Sequence, residues 1–84
     1  MTVKILYFAG LRETLGAATE ELALPAGVTT AGALLQYLAN RGGAWGALAQ
    51  AKNLRMAINQ DMAFGDAALR DGDEVAFFPP VTGG

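Results

Sequence analysis

The sequence predicts an α+β fold, with a sheet lying on one face of a single long helix. Three observations carry that expectation. Residues 2–9 and 19–24 alternate in polarity at the period of a strand. Residues 31–38 repeat apolar side chains at helical spacing. A further alternating stretch, residues 74–78, returns late in the chain, after another at 55–59.

Taken in order, the first strand puts Lys4 on the wet face, so parity sends Val3, Ile5 and Tyr7 inward and leaves Leu6 and Phe8 outside. Residues 10–16 suit a short helix, with Leu11 and Leu15 one turn apart, Arg12 and Glu13 outside, and Gly16 as the stop. The second strand turns Leu22 and Leu24 in and Thr19 and Glu21 out, and Pro25-Ala26-Gly27 makes the turn after it. The main helix takes Thr29 or Thr30 as its N-cap and stripes Ala31, Leu34, Leu35 and Leu38 along one side. Arg41 suits its last turn, and Gly42-Gly43 its close. Gly32 inside it costs about 1 kcal/mol against Ala, which implies close packing there or simple tolerance.

Residues 44–52, with Trp45 at the core edge and Leu48, form a second short helix. Met56 and Ile58 face inward from the third strand. Residues 60–65 read as a loop carrying Met62 and Phe64. Asp71-Gly72-Asp73 is a turn, better explained by solvated turn residues than by a catalytic carboxylate pair. The globular domain is expected to span residues 1–78, followed by an extended tail at 79–84.

Composition narrows the function. At 84 residues the chain makes one domain, 52% hydrophobic and 17% charged, suited to a packed core. A net charge of −2, with only six Lys and Arg, does not build a phosphate-tracking stripe, so nucleic acid is not expected as a partner. No apolar run reaches the roughly 20 residues of a membrane span, and the start has no signal-peptide pattern, so the cytoplasm is the expected location. Neither cysteine nor histidine occurs. Thiolate chemistry is therefore excluded, along with the commonest general base and metal ligand; no metal site is expected.

The tail is the most informative segment. Pro79 and Pro80 end the strand and bias the chain to stiff polyproline II. Val81, Thr82, Gly83 and Gly84 follow, and no side chain from Val75 to Gly83 carries charge. Six residues reach at most about 20 Å, enough to enter a partner's buried pocket with little desolvation beyond the backbone. Gly83-Gly84 fits a slot that residues with a Cβ do not. Parity in the last strand turns Val75 and Phe77 inward and Phe78 outward. Phe8 and Phe78 thus become exposed aromatics that suit a partner surface, unless the 60–65 loop shields one of them.

The run DGDEVAFFPPVTGG at residues 71–84 resembles the C-terminus of the molybdopterin synthase small subunits. KILYFAGLRETLG at 4–16 and AINQ at 57–60 fit the same family, so the similarity covers essentially the whole chain. The resemblance implies a ubiquitin-like β-grasp fold, a mixed sheet on one central helix. It implies that an adenylyltransferase related to ubiquitin-activating enzymes uses ATP to adenylate the Gly84 carboxylate. A sulfur donor then leaves a thiocarboxylate there. The tail enters the large synthase subunit, which is expected to supply the catalytic side chains, and sulfur passes to cyclic pyranopterin monophosphate to build the molybdopterin dithiolene. A hetero-oligomer, a heterotetramer, is implied, with no permanently bound cofactor. Phe8, Met62 and Phe78 are implied as the patch that docks both partners. Arg12 matches a recurrent arginine of the family without an assigned role, and Gly32 and Ala33 stand where charged helix residues are expected.

Two other readings share the terminal chemistry. One is a sulfur carrier of thiazole synthesis, against which the FFPPVTGG lead-in speaks. The other is a ubiquitin-like modifier joined to target lysines through Gly84.

Overall fold

The computed structural model describes residues 1–50 and 54–79. Strands β1 (Thr2–Tyr7) and β2 (Thr19–Ala23) flank helix α1 (Gly10–Leu15). Helix α2 (Ala31–Ala39) follows, then a 3-10 turn (Gly43–Gly46) and helix α3 (Ala47–Gln50). Strands β3 (Arg55–Ile58), β4 (Asp61–Ala63) and β5 (Glu74–Phe78) complete one five-stranded sheet in the order β2-β1-β5-β3-β4. β1 and β5 are parallel, and every other neighbouring pair is antiparallel.

The alternation of β1 and β5 has the expected consequence. Val3, Ile5 and Tyr7 share the inner face with Val75 and Phe77, all essentially removed from solvent. Leu34 and Leu38 of α2 and Leu48 of α3 close over them. Each such side chain contributes about 1.5–3 kcal/mol by leaving water. Met56 and Ile58 pair with Phe77 and Val75 and join the same cluster, as parity requires. Gly16 ends α1 at φ 72, its N–H bonded to the Arg12 carbonyl.

Several details differ from the sequence reading. β1 stops at Tyr7, because the last ladder bond runs from Phe8 N to Phe77 O and Ala9, at φ 53, turns the chain into α1. Of the two threonines, Thr30 caps α2, its Oγ1 accepting from Ala33 N at 3.2 Å. The helix closes on Asn40 rather than on Gly42-Gly43, and Arg41 lies beyond it. The expected helix at 44–52 is a 3-10 turn and a short α3, and residues 51–53 lie outside the described residues.

The segment read as a loop contains β4. Asn59 and Gln60 take φ 51 and 73, the two-residue hairpin geometry that matches strand twist. A three-residue strand is too short to declare a period, which is why the sequence hid it.

Close packing explains Gly32. Its N–H bonds the Gly65 carbonyl at 2.8 Å, and a Cβ built on it would lie 2.9 Å from that same backbone oxygen. The helix start and the segment after β4 meet backbone to backbone at Gly32 and Gly65.

Candidate docking face and tail

The outer face of the sheet is assembled by register. Tyr7 pairs with Phe77 on the inner side, so Phe8 and Phe78 fall together on the outer side. Their rings meet edge to face with centroids 6.5 Å apart. Phe8 is 46% exposed and Phe78 half-buried. A second outer row crosses four strands through Leu6, Ala76, Ala57 and Met62. Met62 is 58% exposed. The three residues expected as a patch therefore lie on one face, Phe8 and Phe78 in contact and Met62 separated from Phe78 by β3.

The segment after Gln60 does not shield these aromatics. Met62 continues the face as part of β4, and Phe64 just beyond it is 75% exposed.

At this end of the sheet the chain leaves β5. Pro79 follows Phe78 directly and is half-buried. Pro80, Val81, Thr82, Gly83 and Gly84 lie outside the described residues, as does the reading of them as a channel-entering tail. Because β5 sits between β1 and β3, the tail departs from the middle of the sheet, beside Phe8.

Sequence reasoning did not single out Arg55. It pairs with Phe78 across β3 and β5 and is exposed. Arg55 precedes Met56 on β3, and Phe64 follows Met56's partner Ala63 on β4. Parity with the inward Met56 placed Arg55 outside; only the strand order tells that it lies between Phe78 and the end of β4, where Phe64 follows. Arg12 is exposed on α1.

The opposite face holds a closed polar circuit. The buried Tyr7 hydroxyl donates to Glu20 Oε1 at 3.1 Å. Arg41 grips the same carboxylate with both terminal nitrogens, Nη1 to Oε1 at 2.9 Å and Nη2 to Oε2 at 2.6 Å. The guanidinium carbon lies 4.5 Å from the centre of the Trp45 ring, and Trp45 meets Tyr7 edge to face at 5.5 Å. The Arg41 hydrogen bonds hold the Glu20 carboxyl below the usual range, and Glu20 in turn raises Arg41. Burial first, then the Glu20 charge, raises the Tyr7 phenol well above its ordinary value. The circuit fastens the 3-10 turn to the sheet.

The acidic turn is also structural. Asp71 accepts from Thr2 N at 2.8 Å, and Asp73 from Arg70 N and Asn59 Nδ2 at 2.8 and 2.9 Å. Asn59 Oδ1 accepts from Glu74 N at 3.0 Å, tying the β3–β4 turn to the start of β5. Among the described residues no three acidic side chains converge as a cation site.

The sequence model described as the ThiS family matches residues 5–84. The chain is 44% identical to the molybdopterin synthase sulfur carrier subunit of Escherichia coli K12, over 98% of this chain and 99% of the relative. It is 39% identical to the subunit of the same name from Haemophilus influenzae, with the same coverage. Among solved structures, the SAMP1 protein of Haloferax volcanii superposes with a TM-score of 0.79 at 29% identity, covering 100% of both chains.

Proposed function

Since the chain belongs to the ThiS family, we propose that it is the sulfur carrier subunit of molybdopterin synthase, with the Gly84 carboxylate as the carrying group. The observation that carries this is the full-length similarity to the sulfur carrier subunits. The geometry supports it: a tail leaving mid-sheet beside an exposed apolar face is what delivery into a second protein requires.

The chemistry follows from what this chain has and lacks. A carboxylate is a poor electrophile until it carries a good leaving group, so a partner adenylyltransferase first joins it to AMP with ATP. A sulfur donor displaces AMP, and the resulting thiocarboxylate is a soft nucleophile at neutral pH. With no cysteine in the sequence, a persulfide on this chain is not available, and the terminus is the carrier. The large subunit supplies the catalytic side chains and the pocket where sulfur reaches cyclic pyranopterin monophosphate. Pro79, Pro80, Val81, Thr82 and Gly83 form the neutral finger that reaches it. Phe8, Met62 and Phe78 dock the partners, and the assembly with the large subunit is a heterotetramer.

A modifier role has one observation in its favour, the likeness to SAMP1, whose name is that of a small archaeal modifier protein. The curated relatives at higher identity favour the carrier.

The decisive experiment removes Gly84, or adds one residue after it, and assays sulfur transfer with the purified large subunit and activating enzyme. Transfer falls to background while thermal unfolding is unchanged. Full transfer by either variant overturns the proposal. Intact-mass analysis separates the roles: one oxygen replaced by sulfur marks the carrier, and adducts on other proteins mark the modifier.

A further inference from the structure

The outer face carries a cation where an apolar contact surface does not tolerate one alone. Arg55 pairs with Phe78, whose ring meets Phe8. On its other side the hairpin brings β4, with Met62 and then Phe64, both strongly exposed. Behind Arg55 the face continues through Ala57 and Ala76. The outward charge of β5, Glu74, lies at the other end of the strand, about 13 Å away along β3, and Asp61 of β4 pairs with the inward Ile58. Among the described residues the one salt bridge is Arg41–Glu20, so Arg55 has no carboxylate partner there.

A protein that covers Phe8, Phe78 and Met62 must also cover Arg55. Guanidinium does not lose its proton in proteins, so it cannot escape desolvation by becoming neutral. Burying it unpaired carries a large penalty, and that penalty vanishes only if the covering surface brings an opposite charge with good geometry. The two parallel N–H donors of Arg suit a carboxylate best.

We propose that Arg55 is a specificity-determining residue of the docking face, and that the protein covering this face presents an Asp or Glu carboxylate to it from within an apolar surround. This rests on the reading above only in that a partner, the large synthase subunit, sits on this face. Partners without that carboxylate are rejected by Arg55, while Phe8 and Phe78 supply contact area to any apolar surface.

Calorimetric titration of the full chain with the cognate large subunit tests it, using Arg55→Leu, Arg55→Lys, Arg55→Glu and Phe78→Ala. Arg55→Leu weakens binding by about 30-fold or more, because it strands the partner's carboxylate. Arg55→Glu weakens it further, Arg55→Lys restores part of the loss, and all three melt like the parent. The salt dependence of affinity diminishes in Arg55→Leu. Unchanged or tighter binding of Arg55→Leu, with Phe78→Ala weakened, overturns the carboxylate assignment alone. Unchanged binding of both variants overturns the docking face as well. If the Arg55→Leu effect disappears in a chain ending at Pro79, the carboxylate was this chain's own terminus, and the partner assignment falls.

Discussion

Arg41 and Arg55 both stand beside aromatic rings, on opposite faces of one sheet, and their surroundings differ in completeness. Arg41 meets the Glu20 carboxylate with two nitrogens and stacks over Trp45, and Glu20 also takes the Tyr7 hydroxyl. Arg55 has the aromatics without the acid among the described residues. One face is finished within the chain, and the other leaves its guanidinium and apolar row open. Finished polar circuits register as folding stability, and unfinished ones register as selectivity in binding. The same contrast recurs one residue apart on β5, where Phe77 is wholly buried and Phe78 is not.

The sharpest way to break the contrast is to truncate each of those phenylalanines. Phe77→Ala is expected to cost about 3–5 kcal/mol of stability, lowering the melting temperature by more than about 12 °C in a domain of this size. Phe78→Ala loses less than half as much stability, and its main effect is on partner affinity. Equal melting losses with unchanged affinity for Phe78→Ala would move Phe78 into the core.

Gly32→Ala comes next. Alanine gains about 1 kcal/mol of helix propensity, yet its methyl would meet backbone oxygen at 2.9 Å. A net loss of about 1–3 kcal/mol is expected, read from the denaturant midpoint. A rise in the midpoint would mean that the segment after β4 yields easily.

The smallest effect belongs to Glu20→Gln, about 1 kcal/mol at neutral pH for a partly solvated ion pair. Its sign with pH follows from the lowered Glu20 carboxyl. The contribution is present above the unfolded-state value of about 4.3 and is lost as pH falls through the lower folded value. Parent and variant unfolding curves should therefore converge in acid. A gap that persists below that range would show that packing, not charge, was lost. At the alkaline end the raised Tyr7 phenol acts oppositely, adding stability that disappears as pH climbs past about 10.

Much of this was legible before any coordinates. Lys4 and Glu74 fixed the parity of β1 and β5, and with it the inward Ile5, Tyr7, Val75 and Phe77 and the outward Phe8 and Phe78. The Thr29-Thr30 pair and Gly16 announced limits of their helices because capping is local chemistry, and the structure chose Thr30. What stayed hidden depends on chain separation. Glu20 and Arg41 lie 21 residues apart, and no local pattern couples them. Gly32 was conspicuous, but its partner Gly65 was not. Arg55 became meaningful once β3 was known to lie against β5, a fact of strand order rather than of any strand's composition.

The position of β5 has a mechanical consequence. A pull along the tail would load a strand held on both edges, by β1 on one side and β3 on the other. Its cross-strand bonds lie across the direction of such a load, so they resist it together in shear rather than opening one by one. The junction of β5 with the chain that follows it is thereby suited to bear tension with the sheet staying whole.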